Sequence, residues 1–377
     1  GCGLCYYQGR RTADVPCPCD LCNRKTSMIP RLLIVLGFCS VLSSVSAAAG
    51  RDVWIDADPA CGLGETRDVD DCWAIVAAIR SSSLNVVSVS TVFGNVDAVA
   101  AAAVAQDLFV IMRAHEPNLP IPPVYSGAAE PIRLNPAVPP AVRRLEVALA
   151  ARPLTILALG PPTNIAMLIE RRPDLVHRID AIVAVAGQRP GQVFKVGSTP
   201  ILHFHDLNVR KDPDAFDIIL RSGVPVHLIP FEAGHQAMVM QSDLDFLMAS
   251  GTLDRWIARR STAWLGFWRD TLGAVGFSPF DTVAVTYLID PKQYSCEPMT
   301  AKIVRRRGLF VTRDTLEVTR PRRNGRSVTY CSDLYEIARN SMVDYVSNPD
   351  HVSAAFARQP AAYPRARSTL SAAQAAP

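Results

Sequence analysis

From Arg51 onward the chain alternates short β-branched runs with longer stretches of helical period. Val53-Trp54-Ile55 and residues 86–93, 154–159, 181–186 and 224–229 are near-continuous apolar runs of strand length. Runs of that kind suit strands buried on both faces. Between them, apolar residues recur at helical spacing over residues 71–80 and 99–113, in a segment opening at Thr163, and over residues 214–221. This alternation predicts βαβ units and hence an α/β fold, an open, mainly parallel, Rossmann-like sheet with helices on both faces. Further helices are predicted over residues 242–250, 253–271, 281–289 and 334–346. Residues 301–330 alternate like a β-hairpin, and residues 117–140 read as a Pro-rich loop. No repeat or boundary divides residues 51–347, which read as one domain. Residues 348–377 are rich in Ala, Pro and Arg without periodicity, so a disordered tail is expected there.

Composition adds little to this picture and the N-terminus adds more. The chain has 377 residues, 49% hydrophobic and 20% charged, which is ample for a large core. Its net charge of +4 comes from basic residues scattered over the termini and the loop from Arg320 to Arg326. No basic stripe with interleaved aromatics appears, so nucleic acid is a poor partner. Met28-Ile-Pro-Arg31, an apolar run over residues 32–45 and then Ala47-Ala48-Ala49-Gly50 form a secretory signal over residues 28–49. The run is short and interrupted by Ser and Gly, so the mature protein is expected to be free of the membrane, periplasmic or secreted. Residues 1–27 precede that signal and carry Cys2, Cys5, Cys17, Cys19 and Cys22. Their spacing could suit zinc, but a signal normally opens a protein, so they read as an upstream Cys-rich segment beginning before the true start at Met28. Export leaves Cys61, Cys72, Cys296 and Cys331 for an oxidising compartment, an even number that allows two bridges. Local order suggests Cys61–Cys72 and Cys296–Cys331, although spacing alone leaves the connectivity open.

The chemistry concentrates in two short acidic stretches. Asp56-Ala57-Asp58-Pro59 closes the first strand, and Asp68-Val69-Asp70-Asp71 opens the first helix. Ligands of open α/β sheets sit at the carboxyl ends of strands, where both stretches fall. Carboxylates converging without a nearby Lys repel each other, so either their pKa values rise or a cation neutralises them. A donor set of oxygens, with no His or Cys at ligand spacing, points to Ca²⁺ or Mg²⁺, and the number of carboxylates favours Ca²⁺. Helix capping would explain Asp68 or Asp70 but not Asp56 and Asp58 as well.

This constellation resembles the inosine-uridine-preferring nucleoside hydrolase family, whose members carry an Asp-x-Asp-Pro-Gly…Asp-Asp signature after the first strand. Three further segments match in order. They are Thr91-Val-Phe-Gly94-Asn95, Leu159-Gly-Pro-Pro-Thr163-Asn164-Ile-Ala, and the segment from Asp281 to Pro291. The resemblance covers residues 51–347 and implies hydrolysis of the N-glycosidic bond of ribonucleosides by a metal-bound water, giving free base and ribose. By that resemblance Asp58 is both a metal ligand and the general base. Asp71, the backbone carbonyl of Thr163 and Asp281 complete the protein ligands, and Asp56 supports them from behind. Asp70, Asn95 and Asn208 would hold ribose hydroxyls, and Asp206 stands where the family usually has a Glu facing the sugar. A homo-oligomer is compatible with all of this.

Two departures qualify the likeness. The gap between Asp58 and Asp70 is longer than the family norm, with residues 61–67 inserted, either as a flap over the substrate or as a surface loop. Many members place a His before the last Asp as acid for the departing base, where this chain has Phe280. His203, His205, His235, Trp264 and Trp268 are candidates to fill the pocket, and aromatic stacking could serve the base. Phe280 keeps a second reading open, a non-catalytic protein that retains the metal site and captures nucleosides or sugars. A phosphohydrolase with Asp-x-Asp after strand one is disfavoured, because Pro59 follows Asp58 and no Lys lies between Lys25 and Lys195. A purely structural role would leave several buried acids unexplained.

Overall fold

The computed structural model describes residues 50–64, 67–134, 137–197, 203–307, 312–323 and 325–357, all within a compact unit that begins at Ala48. The Cys-rich segment 1–27, the signal expected over residues 28–49 and residues 358–377 of the expected tail lie outside the described residues.

Eleven strands are present among the described residues: β1 (Arg51–Ala57), β2 (Leu84–Thr91), β3 (Val124–Ser126), β4 (Leu154–Ala158), β5 (Ile179–Val185), β6 (Phe194–Lys195), β7 (His203–Phe204), β8 (Val226–Ile229), β9 (Tyr294–Arg307), β10 (Thr312–Thr319) and β11 (Arg326–Leu334). Nine of them form one sheet in the order β10-β9-β11-β8-β5-β4-β1-β2-β3, and β6 and β7 make a separate antiparallel ribbon. From β11 to β3 every neighbour pair is parallel, and only β9 runs against its two partners. The helices are α1 (Asp70–Arg80), α2 (Ala98–His115), α3 (Pro140–Ala151), α4 (Thr163–Arg171), α5 (Leu207–Lys211), α6 (Pro213–Arg221), α7 (Phe231–Gly234), α8 (Gln241–Ala249), α9 (Thr252–Gly266), α10 (Phe280–Ile289), α11 (Glu336–Asn340), α12 (Met342–Ser347) and α13 (Pro349–Ala357).

The pleat explains the two cores. Val53, Ile55 and Ala57 of β1 point into one apolar cluster with Trp73 and Ile75 of α1 and Val283 of α10. Trp54 and the alternate residues Ile156 and Ala158 of β4 point the other way, into a cluster with Leu145 of α3, Ile165 of α4 and Phe216 of α6. Strands buried on both faces need apolar side chains at every position, which is why they read as continuous runs rather than alternations. Among the described residues α2 alone is long and apolar enough to cross a membrane, but it packs against β2 and β3 as a core helix.

Several local expectations need correction. The Pro-rich stretch contains β3, which extends the sheet by pairing with β2, and α3 follows it without having been anticipated. The expected hairpin over 301–330 is larger: β9, β10 and β11 add three strands to the main sheet, joined through β11 to β8. The helix expected over 253–271 is α9 followed by a wider π-helical turn, Phe267–Thr271. The one expected over 334–346 is two short helices separated at Ser341. The expected disordered tail is helical over its first part, as α13. Both local cysteine pairs are bonded, Cys61 to Cys72 and Cys296 to Cys331.

Candidate active site

The acids meet where the carboxyl ends of β1, β2 and β4 face the first turns of α1 and α10. Asp56 is tied into the sheet: its Oδ1 accepts from Ser90 Oγ at 2.5 Å and Asn164 Nδ2 at 2.7 Å. Asn164 also spans to Thr91 and Ala128, and Ser90 is held in turn by the Trp54 indole. Asp56 Oδ2 is buried with no hydrogen-bond partner. One residue past β1, Asp58 accepts the main-chain N–H of Asn95 at 2.6 Å, and its own N–H donates to Asp71 Oδ1 at 3.0 Å. The Asn95 side chain reaches Asp71 Oδ2 at 3.3 Å. Across the cleft, Asp70 Oδ2 accepts the N–H of Asp281 at 3.2 Å. Carboxylate oxygens of Asp70, Asp71 and Asp281 lie within 4.8 Å of one another.

Two glycines allow the approach of Asp58. A Cβ on Gly94 would stand 1.9 Å from Asp58 Oδ2, and one on Gly160 would stand 2.8 Å from Asp58 Oδ1. Gly160 belongs to the turn that leads into α4, where Thr163 is fully buried. The Thr163 hydroxyl is committed to Asp212 at 2.6 Å, so its main-chain oxygen is what it has to offer a ligand.

Burial and mutual repulsion dominate the electrostatics. Loss of solvent pushes Asp58 up to about 8, with Asp70, Asp68 and Asp56 adding to the effect and the Asn95 N–H opposing it. Asp70 rises to about 6 through burial and the charge of Asp71. Asp56 rises to about 6 through burial, against the hydrogen bonds of Ser90 and Asn164. Asp68, Asp71 and Asp281 are raised well above the usual carboxylate range by burial and by their acidic neighbours. No cationic side chain is among the main influences on any of them. Such a set is costly unless protonated or compensated by a cation. The orphaned Asp56 oxygen and the all-oxygen donors fit a hard divalent ion; the carboxylates of Asp70, Asp71 and Asp281 come close enough to share one, with Asp58 joined to Asp71 through its N–H.

Above this floor opens a pocket of about 400 Å³. Its polar end carries Asp58, Asp68, Asp70, Asn95, Asp281, Asp206 and Asn208, while the buried Asp56, Asp71 and Thr163 are not part of its lining. Asp206 caps α5, accepting from the N–H groups of Gly187 (2.9 Å) and Val209 (3.0 Å), and burial raises it to about 6. The Asn208 amide donates to Leu159 O at 2.6 Å and Val185 O at 3.1 Å, locking α5 onto the strand ends.

The other end is aromatic. Phe194 stacks on Phe231 at 4.3 Å, Phe231 meets Phe280 at 5.2 Å, and Trp268 meets Trp264 edge-on at 6.0 Å. Of the histidine candidates, His205 lines the pocket, whereas His235 stacks behind Phe231 and faces Ser278. The side chain of His203 lies outside the described residues. Sequence reasoning passed over Phe194, Phe231, Phe267, Arg67 and Arg210, all of which line the pocket. It also assigned no ligand role to Asp68, which accepts from the N–H groups of Val69 and Asp70 at the start of α1. They come from scattered elements, β6, α5, α7, the turn after α9 and the segment before α1, so no local signal singled them out.

The chain is similar to several known proteins. The chain is 25% identical over 276 residues to a pyrimidine-specific ribonucleoside hydrolase RihA of Shewanella sp. (strain MR-4), covering 66% of this chain and 80% of that one. A RihA of Salmonella enteritidis PT4 is 26% identical over 255 residues, covering 60% and 78%. Among solved structures, the plant nucleoside hydrolase PpNRh1 superposes with a TM-score of 0.64 at 20% identity, over 79% of this chain and 99% of that one. A purine-preferring ribonucleoside hydrolase from Gardnerella vaginalis gives 0.63 at 20% identity, over 79% and 98%. The model of the family described as inosine-uridine preferring nucleoside hydrolase matches residues 53–334, and the chain belongs to that family.

Proposed function

We propose that this protein is an exported, calcium-dependent hydrolase that cleaves the N-glycosidic bond of ribonucleosides, giving free base and ribose. The observation that carries the reading is the meeting of Asp58, Asp70, Asp71 and Asp281 at the floor of one pocket whose far wall is aromatic. Family membership supports the reaction class. The oxygen-only donors support calcium, and the two disulfides together with the apolar run before Arg51 support export.

A divalent cation held by Asp58, Asp71, Asp281 and the Thr163 carbonyl would supply charge that acidifies water and polarises the ribose hydroxyls. Asp58, fixed by the Asn95 N–H, takes the proton of the attacking water. Asp70 and Asn95 grip the ribose hydroxyls, with Asp206 and Asn208 closing the sugar from α5, so that the anomeric carbon is presented to the water. Positive charge develops on the sugar as the bond to the base breaks, and the ring of carboxylates stabilises it. The aromatic wall stacks the base. Phe280 places no proton donor there, so protonation of the leaving base falls to solvent or to a group reaching in from the rim.

Incubating the protein with calcium and a panel of ribonucleosides, then assaying free base and reducing sugar, tests this reading. Release that needs calcium and disappears in Asp58→Ala is expected. Tight nucleoside binding without any release would favour the capture protein that Phe280 also suits.

A further inference from the structure

The polar end of the pocket carries two cations besides its acids. Arg67 and Arg210 both line it, both are exposed, and neither joins an ion pair among the described residues. Arg67 ends the stretch inserted between Asp58 and Asp70, and one of its guanidinium nitrogens donates to the Asn95 carbonyl at 2.8 Å. Arg210 stands one helical turn beyond Asp206 on α5, and its main-chain N–H donates to the Asp206 carbonyl at 3.0 Å. Arg210 is not the counter-ion of the Asp206 carboxyl, whose burial is offset by main-chain N–H groups. A guanidinium held at a pocket mouth without a carboxylate partner suits a phosphate, which it can grip with two N–H groups at once.

The position of the two arginines says which part of a substrate would carry the charge. The aromatic end receives the base, and both arginines are attached to residues at the sugar end, Arg67 through Asn95 and Arg210 through the α5 turn that holds Asp206 and Asn208. With the 2′ and 3′ hydroxyls on Asp70 and Asn95 and the base on C1′, the substituent left to meet a cation is the one on C5′. We propose that the pocket takes ribosides bearing a 5′-phosphate, met by Arg67 and Arg210, and that the bond cut is the N-glycosidic bond of a nucleoside 5′-monophosphate. The inference deepens the hydrolase reading and rests on it. Water adds its oxygen to C1′, the C1′–N bond breaks with its electron pair going to the base, and one water proton ends on the base. The products are free base and ribose 5-phosphate, with the phosphate ester untouched.

Calorimetric titration of the calcium-loaded full chain with ribose 5-phosphate, ribose and inorganic phosphate tests the subsite without turnover. Ribose 5-phosphate binds at least tenfold more tightly than either of the others if the assignment holds. Arg67→Ala and Arg210→Ala each shrink that preference several-fold, and the double variant loses it. Equal binding of ribose 5-phosphate and ribose overturns the proposal, as does a preference that survives in the double variant. Inorganic phosphate binding as tightly as the sugar phosphate overturns it too. Turnover then separates the two readings, by comparing kcat/KM for uridine 5′-monophosphate and for uridine at low and high salt. Cleavage of uridine alone sinks the phosphate proposal and leaves the hydrolase. A surviving arginine-dependent preference for ribose 5-phosphate, with neither compound cleaved, sinks the hydrolase and leaves the anion subsite.

Discussion

Asp58 depends on two neighbours that have no side chain. Because a Cβ at Gly160 would enter the space of Asp58 Oδ1 and of Val92 Cγ1 (2.7 Å), Gly160→Ala must displace the carboxylate or the turn. The variant is expected to lose at least about a hundredfold in activity and to weaken calcium binding, because a displacement on the order of 1 Å near the reacting groups costs that much. Steady-state kinetics and a calcium titration on the same preparation check it, and unchanged values for both would show that Asp58 can move freely. Phe280 permits the opposite experiment. Phe280→His puts a proton donor against the base site, so kcat for nucleosides should rise severalfold, with a new limb in the pH profile near the histidine range. No change in that profile would mean that the base leaves already protonated. Both positions were visible as letters, but only Phe280 could be read as a departure. The meaning of Gly160 lies in a contact with a residue about a hundred positions earlier.

Strands buried on both faces were legible because the physics that makes them is local in sequence: the buried positions of β1, β4, β5 and β8 are mostly apolar, with Asp56 and Thr155 as the exceptions. The short elements were not. β3 is three residues long in a Pro-rich stretch and exists because its backbone completes the edge beside β2. The turn at Phe267–Thr271 and the break at Ser341 likewise carry no Gly or Pro that would mark them in the sequence. Asp97 accepts from the N–H groups of Val99 and Ala100 at the start of α2. Replacing it with Ala should cost about 1 kcal/mol, lowering Tm by roughly 2 °C while leaving kinetics alone. A drop in kcat larger than the loss of folded protein accounts for would show that this cap also serves the neighbouring Asn95 turn.

Taken whole, the molecule stores its instability at one place. Asp56 and Asp70 titrate near 6 and Asp58 near 8 in the metal-free fold, all above the ordinary value of 3.8 that they return to on unfolding. Groups raised in this way stabilise the fold fully only while the unfolded chain is also protonated, below about pH 4, and that stability drains away as pH rises through 6 to 8. One such group moving from 3.8 to about 6 is worth about 3 kcal/mol, lost between about pH 4 and pH 6, so chelator-treated protein should lose roughly 5 °C or more of Tm between pH 4 and pH 7. Calcium should restore most of it at the upper end, because a cation holds the same carboxylates in their charged form. A melting temperature that is flat with pH in chelator would contradict the acidic floor described here.

The bond between Cys61 and Cys72 ties the chain three residues past Asp58 to the residue directly after Asp71. Thiol-reducing surroundings would therefore reach the ion site through its own scaffold, leaving the segment that bears Arg67 untethered at one end. Protein produced in a reducing cytoplasm and protein matured in an oxidising compartment should differ in calcium affinity by a factor of about ten or more, at equal secondary structure. Treating the oxidised form with a reductant should convert one into the other. Opening the bridge between Cys296 and Cys331, which joins β9 to β11 and closes no loop around an aspartate of the site, should leave that affinity where it was.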